Sequence, residues 1–573
     1  MGLSHFARFT ASSFAHAAVT RLPANTALLL LLCLQTELGL TAERPNILVL
    51  MAEDMSARVA VFGDPVAVTP HLDALAKQGV RYPNTFTTAG VCAPSRAAHI
   101  LGMHQMSTGT QHMRTSSRPA GGYKSVPPPQ VRAYPELLRA AGYYTYTDHK
   151  LDYQFSGTLR GSGPFTIWSE EGSGTHWRNR ADGQPFFGLV NFPVTHESGV
   201  FPPLGAWPHS VTHFVLQFLR WAQSPDVEVS RTVQASDVPL PPYYPDTETV
   251  RNDIARHYNN IIIMDAQVGA LLAQLEADGL ADNTIVVWTT DHGDGLPRAK
   301  RELYDSGIRV PMIIRWPESL RPHNMTAGSL DERLISLVDL APTLLRVAGV
   351  EVPPYLHGRD FVRSEPRRYV YAARDRIDEV PDRQRAVRDQ RYKYIRSWYP
   401  QLPGGHALAF RDNIPMMREM RALYERGNLN SEQKRWFEPP GNERLFDILA
   451  DPYELQDLSQ DPAHAATLQR LRDEVARWQR EVGDWSELSE AEMVAKFMPR
   501  GEIEKTPVPK ISVVSGVMEL VNAVEGASMG YRLDGEPWRV YDRPVHLHSA
   551  TRVQARAVRY GWEESDLVSM ELP

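Results

Sequence analysis

The sequence predicts an α/β protein in which a large, mostly parallel sheet flanked by helices precedes a smaller α+β subdomain and a small all-β sandwich module. Three patterns support this fold class. Apolar runs alternate with amphipathic segments from residue 46 to about 349, the pattern is less regular from about 355 to 484, and period-two alternation follows near the C-terminus. A chain of 573 residues also exceeds the usual size of one hydrophobic core, so we expect more than one domain.

The first of these regions supplies the parallel sheet. Short apolar runs are typical of strands that are buried on both faces. Strands are predicted at 47–52, 143–147, 186–192, 284–289 and 310–314, and helices at 70–77, 134–141 and 254–275. The first helix has Thr69 as its N-cap, Pro70 in its first turn and Gly79 after its end. Because strands and helices alternate, most of the strands should be parallel.

The C-terminal third has a different organisation. Residues 391–396 are predicted as a strand and 465–482 as a charged amphipathic helix, while residues 552–557 alternate polar and apolar like a half-buried strand. The predicted organisation is a leader at 1–42, an α/β domain at 43–350, its C-terminal subdomain at 351–500 and a β module at 507–573.

The net charge of the chain limits its binding partners, and its N-terminal segment indicates its cellular location. A net charge of −7 provides no footprint for nucleic acid or an anionic membrane surface, so attraction for an anion must be local. Arg8 and Arg21 precede an apolar run at 27–34 that is too short to cross a bilayer and is typical of a signal peptide. We expect cleavage near Ala42 and an exported protein, periplasmic or secreted; the alternative is a disordered tail. No later segment has the pattern of a transmembrane helix.

Cys92 is the only cysteine that remains after such cleavage, because Cys33 lies inside the leader. A single thiol cannot form an internal disulfide in an oxidising compartment. Cys92 is therefore either a small buried apolar residue or a residue with a chemical role.

Polar residues follow several of the predicted strands. Asp54, His196 and Asp291 each come directly after one. Ligands of open α/β sheets bind beyond the carboxyl ends of the strands. These three positions therefore predict a site at one edge of the sheet.

The segment Cys92-Ala93-Pro94-Ser95-Arg96, with the helix-like residues that continue to Gly102, resembles the C-x-P-S-R signature of the type I sulfatases. Features over residues 45–460 match that family in the same order. Membership would imply an alkaline-phosphatase-like fold and conversion of Cys92 to formylglycine by a formylglycine-generating maturation enzyme. The hydrated aldehyde offers one hydroxyl to attack sulfur and a second that lets the aldehyde re-form.

The resemblance also implies a calcium ion. Its ligands would be Glu53, Asp54, Asp291 and His292, together with the modified Cys92. In the family the first pair is usually Asp-Asp, so Glu53 is a departure. Taken singly, a carboxylate after a strand is as often a helix cap.

The remaining catalytic groups implied by the resemblance are cations and one acid. Arg96, Lys150 and Lys300 would neutralise the sulfate, and His196 would protonate the departing oxygen. Asp152 stands where the family has a histidine, which leaves His149 or Tyr153 as substitutes, or the position vacant. Substrate contacts are expected from Asp152 and from two loop residues, His112 and Arg114. For the last two, a solvated loop is an equal alternative.

The tail from 507 resembles the small β-sandwich module of chitobiase-type glycan-active enzymes, in "EGASMGYRLDGEP" and "YDRPVHLHSATRVQARAVRYGW". A spacer that docks against the main domain without a ligand is the alternative. Together with the leader, the tail favours a saccharide as substrate.

The expected activity is hydrolysis of sulfate esters on a sulfated saccharide or polysaccharide. Two alternatives stay open on the same scaffold: a sulfamidase, or a phosphonate or phosphodiester hydrolase. A third is a catalytically silent relative that binds sulfated glycans, which the departures at Glu53 and Asp152 motivate.

Overall fold

A computed structural model describes residues 44–148, 150–157, 161–222, 229, 231–323, 325–548 and 552–572. The predicted leader at 1–42 and His149 lie outside these described residues. Within the described part of the chain, no helix combines the length and apolar character needed to span a membrane.

Eight strands of the first 336 residues form one sheet. They are β1 (Asn46–Ala52), β2 (Val80–Phe86), β3 (Tyr144–Thr147), β4 (Glu170–Glu171), β5 (Phe186–Phe192), β6 (Thr284–Thr290), β7 (Arg309–Arg315) and β8 (Ile335–Ser336). Their order is β4-β3-β5-β1-β6-β7-β2-β8. Only β7 of these eight runs against its neighbours β6 and β2. The prediction of a large, mostly parallel sheet is confirmed.

Helices cover both faces of this sheet and continue into the C-terminal half. The described α-helices are α1 (Pro70–Gln78), α2 (Cys92–Leu101), α3 (Tyr134–Ala140), α4 (Val211–Ala222), α5 (Glu248–Ala277), α6 (Asp305–Ile308), α7 (Leu340–Val347), α8 (Pro415–Glu425), α9 (Ser431–Lys434), α10 (Ala465–Val482) and α11 (Glu490–Phe497). Strand β1 shows why both faces are covered. Its alternate residues Ile47, Val49 and Met51 join one apolar cluster, while Leu48 and Leu50 join the cluster on the other face.

Predicted elements differ from the observed ones mainly at their ends. The strand predicted at 143–147 begins at Tyr144, and the strand predicted at 391–396 lies at 392–397. The N-cap prediction for Thr69 is wrong in its chemistry, because the Thr69 hydroxyl bonds no free N–H of α1. It accepts instead from the Ala60 amide at 3.2 Å and donates to Asp73 at 3.3 Å.

The C-terminal half contains three antiparallel sheets. Strands β9 (Val370–Arg374), β10 (Gln384–Arg388), β11 (Tyr392–Ser397) and β12 (Glu443–Asp447) form one, against which α10 packs. The tail strands are β13 (Lys510–Val514), β14 (Val517–Val521), β15 (Ala527–Leu533), β16 (Arg539–Tyr541), β17 (Val545–His546), β18 (Arg552–Arg559) and β19 (Val568–Glu571). They form a three-stranded sheet, β13-β14-β17, and a four-stranded sheet, β16-β15-β18-β19, around a small apolar core. The prediction of an all-β tail is confirmed, while its resemblance to the chitobiase-type module stays a prediction.

The tail packs closely on the α/β domain through Tyr560, which is fully buried. The Tyr560 ring stacks on Phe155 with 4.9 Å between centroids and 7° between planes. Its hydroxyl donates to Glu136 of α3 at 2.7 Å, and Ser528 donates to the same carboxylate at 2.6 Å. The segment that carries Lys150 and Phe155 therefore lies between the candidate site and the tail.

Candidate active site

Two acidic turns meet at the carboxyl ends of β1 and β6, which are neighbouring parallel strands. The Asp54 amide donates to Asp291 Oδ1 at 3.0 Å, and Asp54 Oδ1 lies 3.0 Å from His292 Nε2. Asp54 has a positive φ of 50°, a conformation that non-glycine residues adopt rarely and mostly where the surroundings enforce it. Both turns are buried, so the polar groups of each turn find their hydrogen-bond partners in the other turn and not in water.

Cys92 points into this cluster from the first residue of α2. Its Sγ lies 3.3 Å from His292 Nε2 and 3.7 Å from Asp54 Oδ1, and the side chain is fully buried. The preceding residue, Val91, is extended and caps no helical N–H with its side chain, and Cys92 therefore stands at the positive end of the α2 dipole. Ser95 of the signature fixes the helix to the sheet, because its hydroxyl donates to the Asp291 carbonyl at 2.5 Å.

Arg96 joins three strand ends with one guanidinium. It donates to Asp291 at 3.0 Å, to Asn191 Oδ1 at 2.6 Å and to Glu53 Oε1 at 3.2 Å. Asn191 belongs to β5, beside β1 in the sheet. Burial opposes the charged form, yet Asp291 and Glu53 raise the pKa of Arg96. Arg96 is thus a permanently charged, immobilised cation beneath Cys92.

Two lysines complete the ring of cations. Lys150 Nζ lies 2.8 Å from Glu53 Oε2. Lys300 Nζ lies 2.5 Å from Asp54 Oδ2 and 2.8 Å from Glu197 Oε1. The buried carboxylates of Glu53, Asp54 and Asp291 are therefore each in direct contact with at least one of these cations.

His196 borders the cluster beyond β5. Its Nε2 is 4.0 Å from Asp54 Oδ2, and its Nδ1 is 2.9 Å from the Ser198 hydroxyl. Burial and then Lys300 hold the pKa of His196 well below its ordinary value. The imidazole is therefore neutral at pH 7 before any anion binds beside it.

The charges shift two other pKa values in opposite directions. Burial alone would raise the pKa of the Asp54 carboxyl, but Lys300 and His292 outweigh it and hold this pKa well below its ordinary value. Burial alone would lower the pKa of His292, but Asp291 and Asp54 raise it to about 10. Without a bound cation, His292 is an imidazolium held between two carboxylates.

The ligand atoms around Cys92 lie close enough together to hold one metal ion. Asp54, Cys92, Asp291 and His292 each place one such atom within 4.8 Å of the others. Glu53, Asp54 and His196 form a second group by the same measure. Calcium prefers carboxylate oxygens. Glu53, Asp54 and Asp291 offer such oxygens, although each of these carboxylates is also in contact with a cation.

The partly exposed members of the site mark the side from which a substrate can approach. Side-chain exposure is 14% for Lys150, 19% for His196 and 27% for Arg114, whereas the groups around Cys92 are at or below 2%. Lys150, His196 and Arg114 therefore border the mouth of the site.

Asp152 and Arg114 form a bidentate pair. Arg114 donates to the two Asp152 oxygens at 2.7 and 2.6 Å. Although burial opposes it, Arg114 lowers the pKa of the Asp152 carboxyl. Asp152 is thus an anion whose charge is taken up by Arg114, and it cannot replace a histidine as a hydrogen-bond donor at this position. Tyr153 is buried, and its ring stacks on Phe155.

His112 is buried, which is against the alternative of a solvated loop at this position. Its Nδ1 accepts from the Arg376 amide at 3.2 Å, and its Nε2 lies 4.0 Å from Glu490 Oε1. Burial lowers the pKa of His112 to about 4, so the ring is neutral. These contacts do not bring His112 into the group around Cys92.

Sequence reasoning missed three residues of the site. Glu197 accepts a bidentate pair of hydrogen bonds from Arg301 at 2.8 and 2.9 Å and also holds Lys300. Asn191 bridges Arg96 to Asp148, to which it donates at 2.5 Å. Their positions in the sequence could have identified them. Glu197 directly follows the predicted site residue His196, Arg301 directly follows Lys300, and Asn191 is near the end of a predicted strand.

The chain matches two family models. One, described as Sulfatase, matches residues 45–350, and the other, described as N-sulphoglucosamine sulphohydrolase, C-terminal, matches residues 298–435. An ulvan-active sulfatase of Formosa agariphila is 41% identical over 566 residues, which cover 93% of this chain and 92% of the relative. The N-sulphoglucosamine sulphohydrolase of Homo sapiens is 27% identical over 502 residues, 81% of this chain and 94% of the relative.

Solved structures agree with the fold. A 2-O GAG sulfatase superposes with a TM-score of 0.53 at 19% identity, over 79% of this chain and 96% of that chain. A protein solved with its substrate D-glucosamine-2-N,6-O-disulfate has a TM-score of 0.52 at 18% identity, over 77% of this chain and 98% of that chain. At such identities the likeness concerns the fold.

Proposed function

The chain belongs to the sulfatase family, and from that premise we propose that it hydrolyses sulfate esters of a sulfated saccharide or polysaccharide. The observation that carries the proposal is the convergence of Cys92, at the start of a helix, with a buried ring of carboxylates and cations. A relative active on ulvan, similar over 93% of this chain, supports a polysaccharide as substrate.

We propose that position 92 carries the nucleophile after conversion of Cys92 to formylglycine. One hydroxyl of the hydrated aldehyde attacks sulfur and releases the alcohol, and loss of the proton from the second hydroxyl then expels sulfate as the aldehyde re-forms. Asp54, Asp291 and His292, with Glu53, would hold a calcium ion, which would lower the pKa of the attacking hydroxyl and offer positive charge to the sulfate oxygens.

The protein's own cations act on the same charge. Arg96 and Lys300 are buried and already oriented, so they stabilise developing negative charge without rearrangement. Lys150, at the mouth, attracts the sulfate and orients it toward Cys92. Glu197 and Arg301 keep Lys300 in position.

His196 is proposed as the acid for the departing oxygen. Its imidazole is neutral in the free protein, so it must gain its proton together with the substrate. An anionic sulfate beside the ring favours the protonated form and provides the reason for that gain. The alcohol of a sugar is a poor leaving group, so this proton matters more for saccharides than for aryl sulfates.

A second candidate is hydrolysis of N-linked sulfate on glucosamine. The match of residues 298–435 to the C-terminal model of N-sulphoglucosamine sulphohydrolase favours it. One experiment separates the two: sulfate release from O-sulfated ulvan oligosaccharides and from N-sulfoglucosamine, measured by ion chromatography with Cys92→Ala as control. Release from the first substrate supports the ester hydrolase, release from the second alone supports the sulfamidase, and release from neither contradicts both.

We further propose that the protein is exported after removal of 1–42 and that a formylglycine-generating enzyme is its maturation partner. The pattern of Arg8, Arg21 and the apolar run at 27–34 supports the first point. The proposed domains are 43–350, 351–500 and 507–573. N-terminal sequencing of the secreted or periplasmic protein should begin near residue 43.

A further inference from the structure

Helix α4 exposes an apolar face to water. The α4 face consists of Val211, Phe214, Val215, Phe218, Leu219 and Trp221, and Leu204 and Trp207 precede it. Exposure reaches 81% at Val211, 55% at Phe214, 52% at Phe218 and 62% at Trp221, and it is 94% at Trp207. Single exposed apolar residues need no explanation, but a contiguous set on one helix indicates a surface that something covers.

The opposite face of α4 is mostly polar and packs on the protein, with Leu216 as its apolar contact to the core. His213 and Gln217 are buried, and both bond to the carbonyl of Pro202, at 2.9 and 3.0 Å. Arg220 donates to the Val194 carbonyl at 3.0 Å. A surface helix normally turns its apolar stripe inward and its polar residues outward. Helix α4 has the reverse arrangement.

The inward polar face has a local reason. The loop from 194 to 206 follows β5 and carries His196, and several of its backbone carbonyls accept hydrogen bonds from side chains of α4. These hydrogen bonds explain His213, Gln217 and Arg220. It gives no reason for Phe and Trp on the outer face, which must have a separate role.

The chemistry of the α4 face selects its partner. Residues 201–222 contain no Asp or Glu, and their one Lys or Arg is Arg220, which points inward. The face has no cation for anionic lipid or for a sulfated saccharide. A protein with a net charge of −7 can nevertheless approach its own copy through an uncharged patch without repulsion at the contact. Aromatic side chains are enriched in such interfaces.

The size of the face agrees with this partner. Aromatic side chains can each bury about 150–250 Å². Two Trp and two Phe, each more than half exposed, together with their aliphatic neighbours, offer on the order of 800 Å², which one partner contributes to a standard protein interface.

We propose that the α4 face is the contact between two copies of this chain, related by a twofold axis, with the two α4 helices antiparallel. In such an isologous contact each residue near the helix centre lies close to its own counterpart. Phe218 is near the centre of α4, so a charge at this position faces the same charge across the axis. The inference does not rest on the proposed function.

The test is sedimentation velocity of the purified exported protein, from which the leader has been removed, at micromolar concentration. The wild type should sediment at twice the mass of its single processed chain. Phe218→Glu and Phe218→Lys should each sediment as monomers, and an equimolar mixture of the two should regain the dimer because opposite charges then meet. Val514→Glu is the matched control, since Val514 is 72% exposed on β13, and it should remain dimeric.

Several outcomes overturn the proposal. A monomeric wild type does so, and if that monomer also co-floats with phosphatidylcholine vesicles, lipid is the partner of the α4 face. A dimeric Phe218→Glu variant excludes this face as the contact. Monomeric variants that do not recombine exclude the twofold arrangement. Sulfate release by the variants is measured in parallel, and its loss in all samples bears on the proposed function and not on this contact.

Discussion

Substitutions at Tyr560 test whether the tail braces the segment that carries Lys150. The Tyr560 hydroxyl donates to Glu136, a carboxylate that is 3% exposed, and burial raises the pKa of Tyr560 so that the hydroxyl keeps its proton. Hydrogen bonds to charged groups contribute about 1.5–3 kcal/mol. Tyr560→Phe should therefore lower the free energy of unfolding by about that amount while it keeps the stack on Phe155.

Tyr560→Ala removes the ring as well, and deletion of a buried aromatic side chain costs about 3–5 kcal/mol. The stack from Tyr153 through Phe155 to Tyr560 then loses its outer member. Because Lys150 lies on the same segment, kcat/KM for a sulfated saccharide should fall by up to about 10²-fold. Tyr560→Phe should leave kcat/KM close to that of the wild type.

The assays are urea unfolding midpoints, followed by tryptophan fluorescence, and sulfate release on the same preparations. Tyr541→Phe is the matched control, because Tyr541 lies in the same tail but is only half-buried, and its change should stay within about 0.5 kcal/mol. An unfolding midpoint of Tyr560→Ala equal to that of the wild type would refute the claim that the tail stabilises this segment. Equal losses of activity in Tyr560→Phe and Tyr560→Ala would refute the role of the stack.

Three further predictions concern single side chains. Burial raises the pKa of Asp253 to about 6 from an unfolded value near 3.9, so this group should reduce stability by about 3 kcal/mol as pH rises from 4 to above 6. Asp253→Asn should remove this decrease from a plot of the urea unfolding midpoint against pH between pH 4 and 7. The same dependence on pH in the variant and the wild type would contradict the prediction. His196→Ala should lower kcat by about 10²–10⁴ on saccharide sulfates but far less on an aryl sulfate, and equal losses would exclude the role of acid. Asp54→Asn should weaken calcium binding in calorimetry by more than about tenfold, whereas the exposed Asp566→Asn should not; unchanged affinity would remove Asp54 from the metal site.

Much of the fold was predictable because its strongest signals are local. Strands β1 and β6 contain uninterrupted apolar runs at 47–52 and 285–288, and acidic residues that mark the site follow their carboxyl ends. The reversal of β7 was not predictable, since a buried strand has the same composition in either direction. The hydroxyl of Thr69 was misassigned because a tertiary partner, the Ala60 amide, competes with the helix for it.

The site was predictable where a motif marks it and not where distant residues meet. Cys92 and Arg96 lie in one short signature, and Asp54 and Asp291 follow strands. The burial of His112 depends on Arg376 and Glu490, which are more than 260 residues away in the chain. The sequence therefore indicated a loop, and His112 does lie in one, but its burial among Arg376 and Glu490 could not be predicted from its position along the chain.

The central claim is that Cys92 becomes the catalytic aldehyde of a metal-dependent sulfatase. Peptide mass spectrometry of residue 92, on protein co-expressed with a formylglycine-generating enzyme and assayed for sulfate release with and without chelator, tests it most directly. The expected result is the aldehyde mass at position 92 together with sulfate release that the chelator abolishes and calcium restores. Turnover by protein that carries only the unmodified thiol, or turnover that the chelator does not affect, would contradict it.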